Sequence, residues 1–226
     1  MNYSMKRTVL AIALVGAVGA ANATALVINV PTASVDTVAT SFGGTLLDSA
    51  VTVISNSSYS GTARTAVYKT ESGLDFYYQF TNDAESKTGI ERFSGYDFST
   101  LGSSAISVFQ TGSAFGVFTA GTEGSDYADR TINGVIGFSF VPNGNSKILP
   151  GTTSLTQIIR TSVLTYEPGN FGLLDGFASN APGFGPTAAL PVPEPESLAM
   201  LLAGLGLMGT IARRRARNNA AESNGS

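Results

Sequence analysis

"GLDFYYQFTND", residues 73–83, decides the fold. Leu74, Phe76, Tyr78 and Phe80 alternate with Asp75, Tyr77, Gln79 and Thr81, a period of two that a pleated strand turns into two faces. One face is wholly apolar. The other, where Tyr77 stands between Asp75 and Gln79, is expected to be a wet aromatic side. "GVIGFSFVPNGN" (134–145) repeats the device: Ile136, Phe138 and Phe140 alternate with Gly137, Ser139 and Val141 until Pro142, Asn143 and Gly144 break the run.

Working outward, "ALVINV" (25–30), "TLLDSAVTVIS" (45–55), "TARTAVYKT" (62–70), "ERFSGYDFS" (91–99), "SAISVFQT" (104–111), "AFGVFTA" (114–120) and "SLTQIIRTSVLTY" (154–166) are further strand candidates. The stretches "ISNSSYSGT", "TNDAESKTG", "AGTEGSDYADR" and "VPNGNSK" are dense in turn residues, and no helix-period pattern occurs in the body. The expected fold is therefore all-β, an antiparallel β-sandwich over residues 26–180. No repeat of fixed period is present, which excludes a solenoid or propeller. From Glu167 the chain turns Gly- and Pro-rich, so a linker is expected over 181–196.

The chain has 226 residues, a formal charge of −3, and no His, Cys or Trp. Two residue types that do chemistry near neutral pH are thus missing, and no disulfide or Ser-His pair can form. The cations concentrate at the ends, in Lys6, Arg7, Arg213, Arg214, Arg215 and Arg217, leaving an acidic middle that is unsuited to nucleic acid.

Those ends carry the organisation. Lys6 and Arg7 precede "TVLAIALVGAVGA" (8–20), the length of a secretory apolar core, and Ala21-Asn22-Ala23 and Ala23-Thr24-Ala25 both offer small residues to signal peptidase. A signal peptide over 1–25, cut after Ala23 or Ala25, is expected. At the other end, "PVPEPES" (191–197) reads as a polyproline-like rod, since Pro191, Pro193 and Pro195 fix their own φ and extend the residue before each.

An uncharged apolar run follows, from Leu198 to Ala212. Its helix would rise about 22 Å against a hydrocarbon core of about 30 Å, which is short unless the arginines snorkel. A transmembrane helix over 197–212 is expected, with Arg213, Arg214, Arg215 and Arg217 as a stop-transfer block in a cytoplasmic tail over 213–226. Gly204, Gly206 and Gly209 match G-x-G-x-x-G, but the strand, helix and acidic residue of a dinucleotide site are missing around them. Glycines in an apolar helix instead allow close packing.

Pro193-Glu194-Pro195, the apolar run and the Arg cluster together resemble the PEP-CTERM sorting signal of Gram-negative bacteria, from Pro191 onward. The resemblance implies recognition by an exosortase, removal of the tail, transient anchoring in the inner membrane, and delivery to the cell surface or an extracellular polysaccharide matrix. "NNAAESNGS" (218–226) continues beyond the arginines farther than the usual ending of such signals. The body, with Val67 to Gln79, Ile90 to Arg92 and "GFSF" (137–140), is loosely similar to ectodomains common in that family, a likeness that adds architecture and no chemistry.

Candidate sites in the body are few. Glu123, Asp126 and Asp129 are oxygen donors in one loop and the weak candidates for calcium, although their spacing is not that of an EF-hand and solvated surface is the ordinary reading. No metal or cofactor is expected. Glu71 with Asp75, or Glu91 with Asp97, would suit glycoside hydrolysis only at separations that a sequence does not fix. Tyr59, Tyr68, Tyr77, Tyr78 and Tyr96 offer faces for sugar stacking, or simply cross-strand packing. The expectation is an exported, non-enzymatic structural or interaction module, with a surface carbohydrate-binding module as the alternative.

Overall fold

The computed structural model describes residues 24–30, 35–38, 43–95, 98–101, 106–141 and 147–187, together with Met200, Ala203, Leu205 and Met208. The chain divides into two units, 1–187 and 188–226. In the second, the four described residues are helical. Among the described residues, no helix is long and apolar enough to cross a membrane.

The described residues of the first unit are all-β. Its strands are β1 (Thr24–Ala25), β2 (Thr45–Ser55), β3 (Ser60–Lys69), β4 (Leu74–Asn82), β5 (Arg92–Gly95), β6 (Ser107–Thr111), β7 (Tyr127–Arg130), β8 (Ile136–Ser139), β9 (Thr156–Arg160), β10 (Tyr166–Leu174) and β11 (Ala178–Pro186), with one 3₁₀ turn at Ser99–Leu101. They form a six-stranded sheet in the order β1-β6-β9-β4-β3-β2 and a five-stranded sheet in the order β11-β10-β5-β8-β7. Every strand pair in both sheets is antiparallel.

The two sheets share one apolar core. Leu74, Phe76, Tyr78 and Phe80 of β4 meet Phe93 of β5, Phe138 of β8 and Phe171 of β10 there. Burying each such side chain contributes about 1.5–3 kcal/mol, so the inner face of β4 is a large part of what holds the layers together. Edge-to-face ring pairs, Phe76 with Phe98 and Phe93 with Phe171, set how the rings interlock. Two tyrosines tie the layers by polar bonds: the Tyr59 hydroxyl donates to the Leu173 carbonyl at 3.2 Å and the Tyr78 hydroxyl to the Phe184 carbonyl at 2.6 Å. Tyr78→Phe leaves that buried carbonyl without its donor and is expected to cost about 1–3 kcal/mol, measured as a lower denaturant midpoint at unchanged m-value.

The outer face of β4 departs from the expected wet side. Tyr77 is 1% exposed, and Asp75 and Gln79 are fully buried. A second cluster, Ala66, Tyr77, Phe109, Phe118 and Ile158, is closed by Phe115 and Val117. "AFGVFTA", expected as a strand, is this cover: Phe115 and Phe118 exchange backbone hydrogen bonds of 3.2 and 2.9 Å across a two-residue turn.

Side-chain amides fasten the cover. Gln79 donates to the Thr119 carbonyl at 2.7 Å and accepts from its N–H at 3.0 Å. Gln110 treats Ser125 the same way, at 3.1 and 2.8 Å, and also donates to the Val35 carbonyl at 3.0 Å. A primary amide offers the same donor and acceptor as a peptide unit, so these glutamines act as extra rungs for chain that belongs to no sheet.

The remaining strand expectations stand as follows. Of "ALVINV" only Ala25 is in a strand, and "SLTQIIRTSVLTY" contributes Thr156–Arg160 to β9 and its last residue to β10. β10 and β11 run through the Gly/Pro-rich stretch and pair from Tyr166↔Pro186 to Leu174↔Ala178, so the body continues past residue 180, where the sequence reading ended it. Pro168 is tolerated because β10 pairs with β5 only over Phe171–Leu174, leaving the proline with a single neighbouring strand.

Candidate functional site

An open cleft of about 700 Å³ lies at the β3–β4 turn, lined by Thr45, Lys69, Glu71, Ser72 and Arg160 among others. Gly73 makes the turn, with φ of 144°, and a Cβ there would come within 2.4 Å of the Thr161 carbonyl oxygen, so the hairpin closes tightly against the end of β9.

The cleft's Arg160 is held from beneath by Asp75. These residues face each other across β9 and β4, and Arg160 Nε lies 3.0 and 3.2 Å from the two carboxylate oxygens while Nη2 lies 2.7 Å from one of them. The guanidinium also lies over the Phe109 ring at 5.4 Å. Burial pushes the Asp75 carboxyl above the ordinary carboxylate range, against the lowering effect of the Arg160 hydrogen bonds and charge. The hydrogen bonds to Asp75 raise Arg160 in turn, against its own partial burial. Sequence reading missed this pair, whose members stand 85 residues apart.

A second bidentate pair joins Arg92 of β5 to Asp129 of β7, at 2.6 and 2.8 Å, across the intervening β8. Gly137 of β8 makes the crossing possible: a Cβ at that position would stand 1.7 Å from an Arg92 nitrogen.

The sequence candidates fall as follows. Glu123, Asp126 and Asp129 are not brought together, and among the described residues no group of three metal-capable side chains exists. Asp129 is taken by Arg92, and Glu123 accepts from the Thr122 hydroxyl at 3.0 Å. Of the proposed carboxylate pairs, Asp75 is engaged by Arg160 and Glu91 by Lys147 at 2.5 Å; Glu71 lines the cleft. Asp97 and Tyr96 lie outside the described residues.

Tyr77, expected to face solvent, is instead packed against Tyr68 at 4.8 Å and Phe115 at 5.4 Å between ring centroids. Tyr59 and Tyr78 are buried in the main core. Ala25 lies in β1, paired with Ser107. Ala23, Pro193, Glu194, Pro195, Arg213, Arg214, Arg215 and Arg217 lie outside the described residues.

The body thus offers an open cleft lined by Lys69, Glu71 and Arg160 and a face sealed over Tyr77, and the residues that say most about function are in the tail. The two-sheet β body is followed by a proline-acid segment, an apolar run and an arginine block. Residues 191–216 match the family model of the PEP-CTERM protein-sorting motif. The match implies an exported protein that transits a membrane, with an exosortase as its processing partner. No curated protein and no solved structure matches the chain.

Proposed function

We propose that this chain is a cell-surface or extracellular-matrix protein of a Gram-negative bacterium, whose β body is a non-catalytic structural or interaction module. The observation that carries the reading is the sorting motif at residues 191–216. In this reading a leader ending near Ala23 or Ala25 directs export, the apolar segment holds the chain in the inner membrane with its arginines on the cytoplasmic side, and the exosortase acts at the proline-rich segment. The closed body supports a module that works by contact. Its most buried ionisable group, Asp75, is committed to Arg160 and not to a reacting centre.

The two leader positions differ in what they leave behind. Thr24 and Ala25 pair with Val108 and Ser107, and the buried Leu26 donates its N–H to the Ile106 carbonyl at 2.9 Å. Cleavage after Ala25 would remove β1 and put a charged amine at that buried position. The mature chain is therefore expected to begin at Thr24.

Intact mass of the protein recovered from medium and from membranes tests the whole reading. Released protein that starts at Thr24 and lacks Arg213 to Arg217 is the expected result. Release with all four arginines retained would refute the sorting reading, while a start at Leu26 would refute only the choice of leader site.

A further inference from the structure

The body has four sheet edges, and three of them are blunted. β1 has two residues. β7 has four, carries Asp129 and Arg130, and is flanked by preceding chain through bonds from Asn29 to the Arg130 carbonyl and from Val35 to the Asp126 carbonyl. β11 contains Pro182 and Pro186, which have no N–H to give. These are the devices by which a sheet avoids pairing with other chains.

Among the described residues, β2 has almost none of them. It is an eleven-residue edge strand without Pro, Lys or Arg, and its one charge, Asp48, adjoins the irregularity between Leu46 and Asp48. From Ser49 to Ser55 it is uncharged and in unbroken register with β3. Ile54 turns into the shared core, while Val51 and Val53, on the opposite side of the strand, are 56% and 74% exposed.

We propose that β2 is a self-association edge, pairing antiparallel with β2 of a second copy about a two-fold axis at Ala50. That axis sets Ser49 against Val51 and Asp48 against Thr52, so the one carboxylate on each strand meets a hydroxyl and never its own symmetry mate. The Val51 and Val53 side chains of the two copies then form one apolar stripe across the join. The charge pattern selects this occupant. A neutral segment has nothing to attract an acidic or basic peptide, and the two-fold register avoids the only like-charge clash the strand could make. One strand pair covers less than the ~1,200 Å² of a stable complex, so the dimer is concentration-dependent.

Sedimentation equilibrium of the full chain in mild detergent, carried to about 100 μM, tests this together with hydrogen exchange at low and high concentration. The wild type is expected to move from monomer to dimer as the amides of Ser49 to Ser55 slow. Val51→Lys and Val53→Lys, at exposed positions, are expected to keep the monomer's melting temperature and to weaken association at least about tenfold. A monomer at every concentration overturns the proposal. So does a dimer that both lysine variants leave intact, or one that forms without added protection in β2.

Discussion

Replacing Arg160 by Met is expected to destabilise the body by about 3–5 kcal/mol at neutral pH, the cost of leaving a buried carboxylate without its partner. Asp75 is fully buried and its carboxylate is held by Arg160, so loss of the guanidinium leaves a buried charge without its counter-ion. The pH dependence gives the signature. Burial already raises the Asp75 pKa in the folded protein, and Arg160 opposes that shift. Removing Arg160 raises it further.

A carboxyl whose folded pKa lies above its unfolded value binds its proton more tightly when folded, so its contribution to stability is present at low pH and lost as pH rises through the folded pKa. The deficit of Arg160→Met is therefore expected to shrink as pH falls from neutrality toward the unfolded Asp range. Asp75→Asn in the same background should abolish this dependence. Urea melts of the three proteins between pH 4 and 7.5 check it, and a pH-independent deficit would show that Asp75 is not the source.

The second large effect lies in the tail. Changing Pro193, Glu194 and Pro195 together to Ala is expected to abolish removal of the arginine block, so that all the protein recovered carries residues 213–226. The substitution takes away the fixed φ of two prolines and the only charge among the three residues. It leaves the apolar run and the arginines untouched, so insertion into the membrane is expected to continue. Mass spectrometry of the membrane fraction reads the retained tail directly. A variant trimmed as efficiently as the wild type would mean that the processing enzyme reads the apolar run or the arginines instead.

What could be read beforehand was what is local in the chain. The inner face of β4 is visible in Leu74, Phe76, Tyr78 and Phe80 because alternation states which residues share a side, and the sorting motif is visible because its parts are consecutive. Alternation does not state what covers a side. Tyr77 and Gln79 look solvent-facing in sequence, yet a segment some 40 residues further on lies over them, and Gln79 is there to bond its backbone.

Asp75 and Arg160 likewise give no local sign of each other. Gly183, which read as linker, is instead opposite Gly169 in the β10–β11 ladder, where the lack of side chains permits close approach. The candidate calcium ligands failed for a related reason: Arg92, on a strand that sequence does not place beside Asp129, takes that carboxylate.

The amide rungs beneath the cover bear on the order in which the exported body assembles. Gln79 and Gln110 stand on β4 and β6, which are joined into one sheet only by β9 between them. Until that strand, which begins at Thr156, has been inserted, the amides that bind Thr119 and Ser125 are not set in one sheet. The outer cluster, to which β9 contributes Ile158, is therefore completed only by chain that is synthesised after the segment around Phe115. A chain emerging N-terminus first meets the outside with Tyr77 and Phe109 uncovered, and it seals them only when most of the body has already arrived.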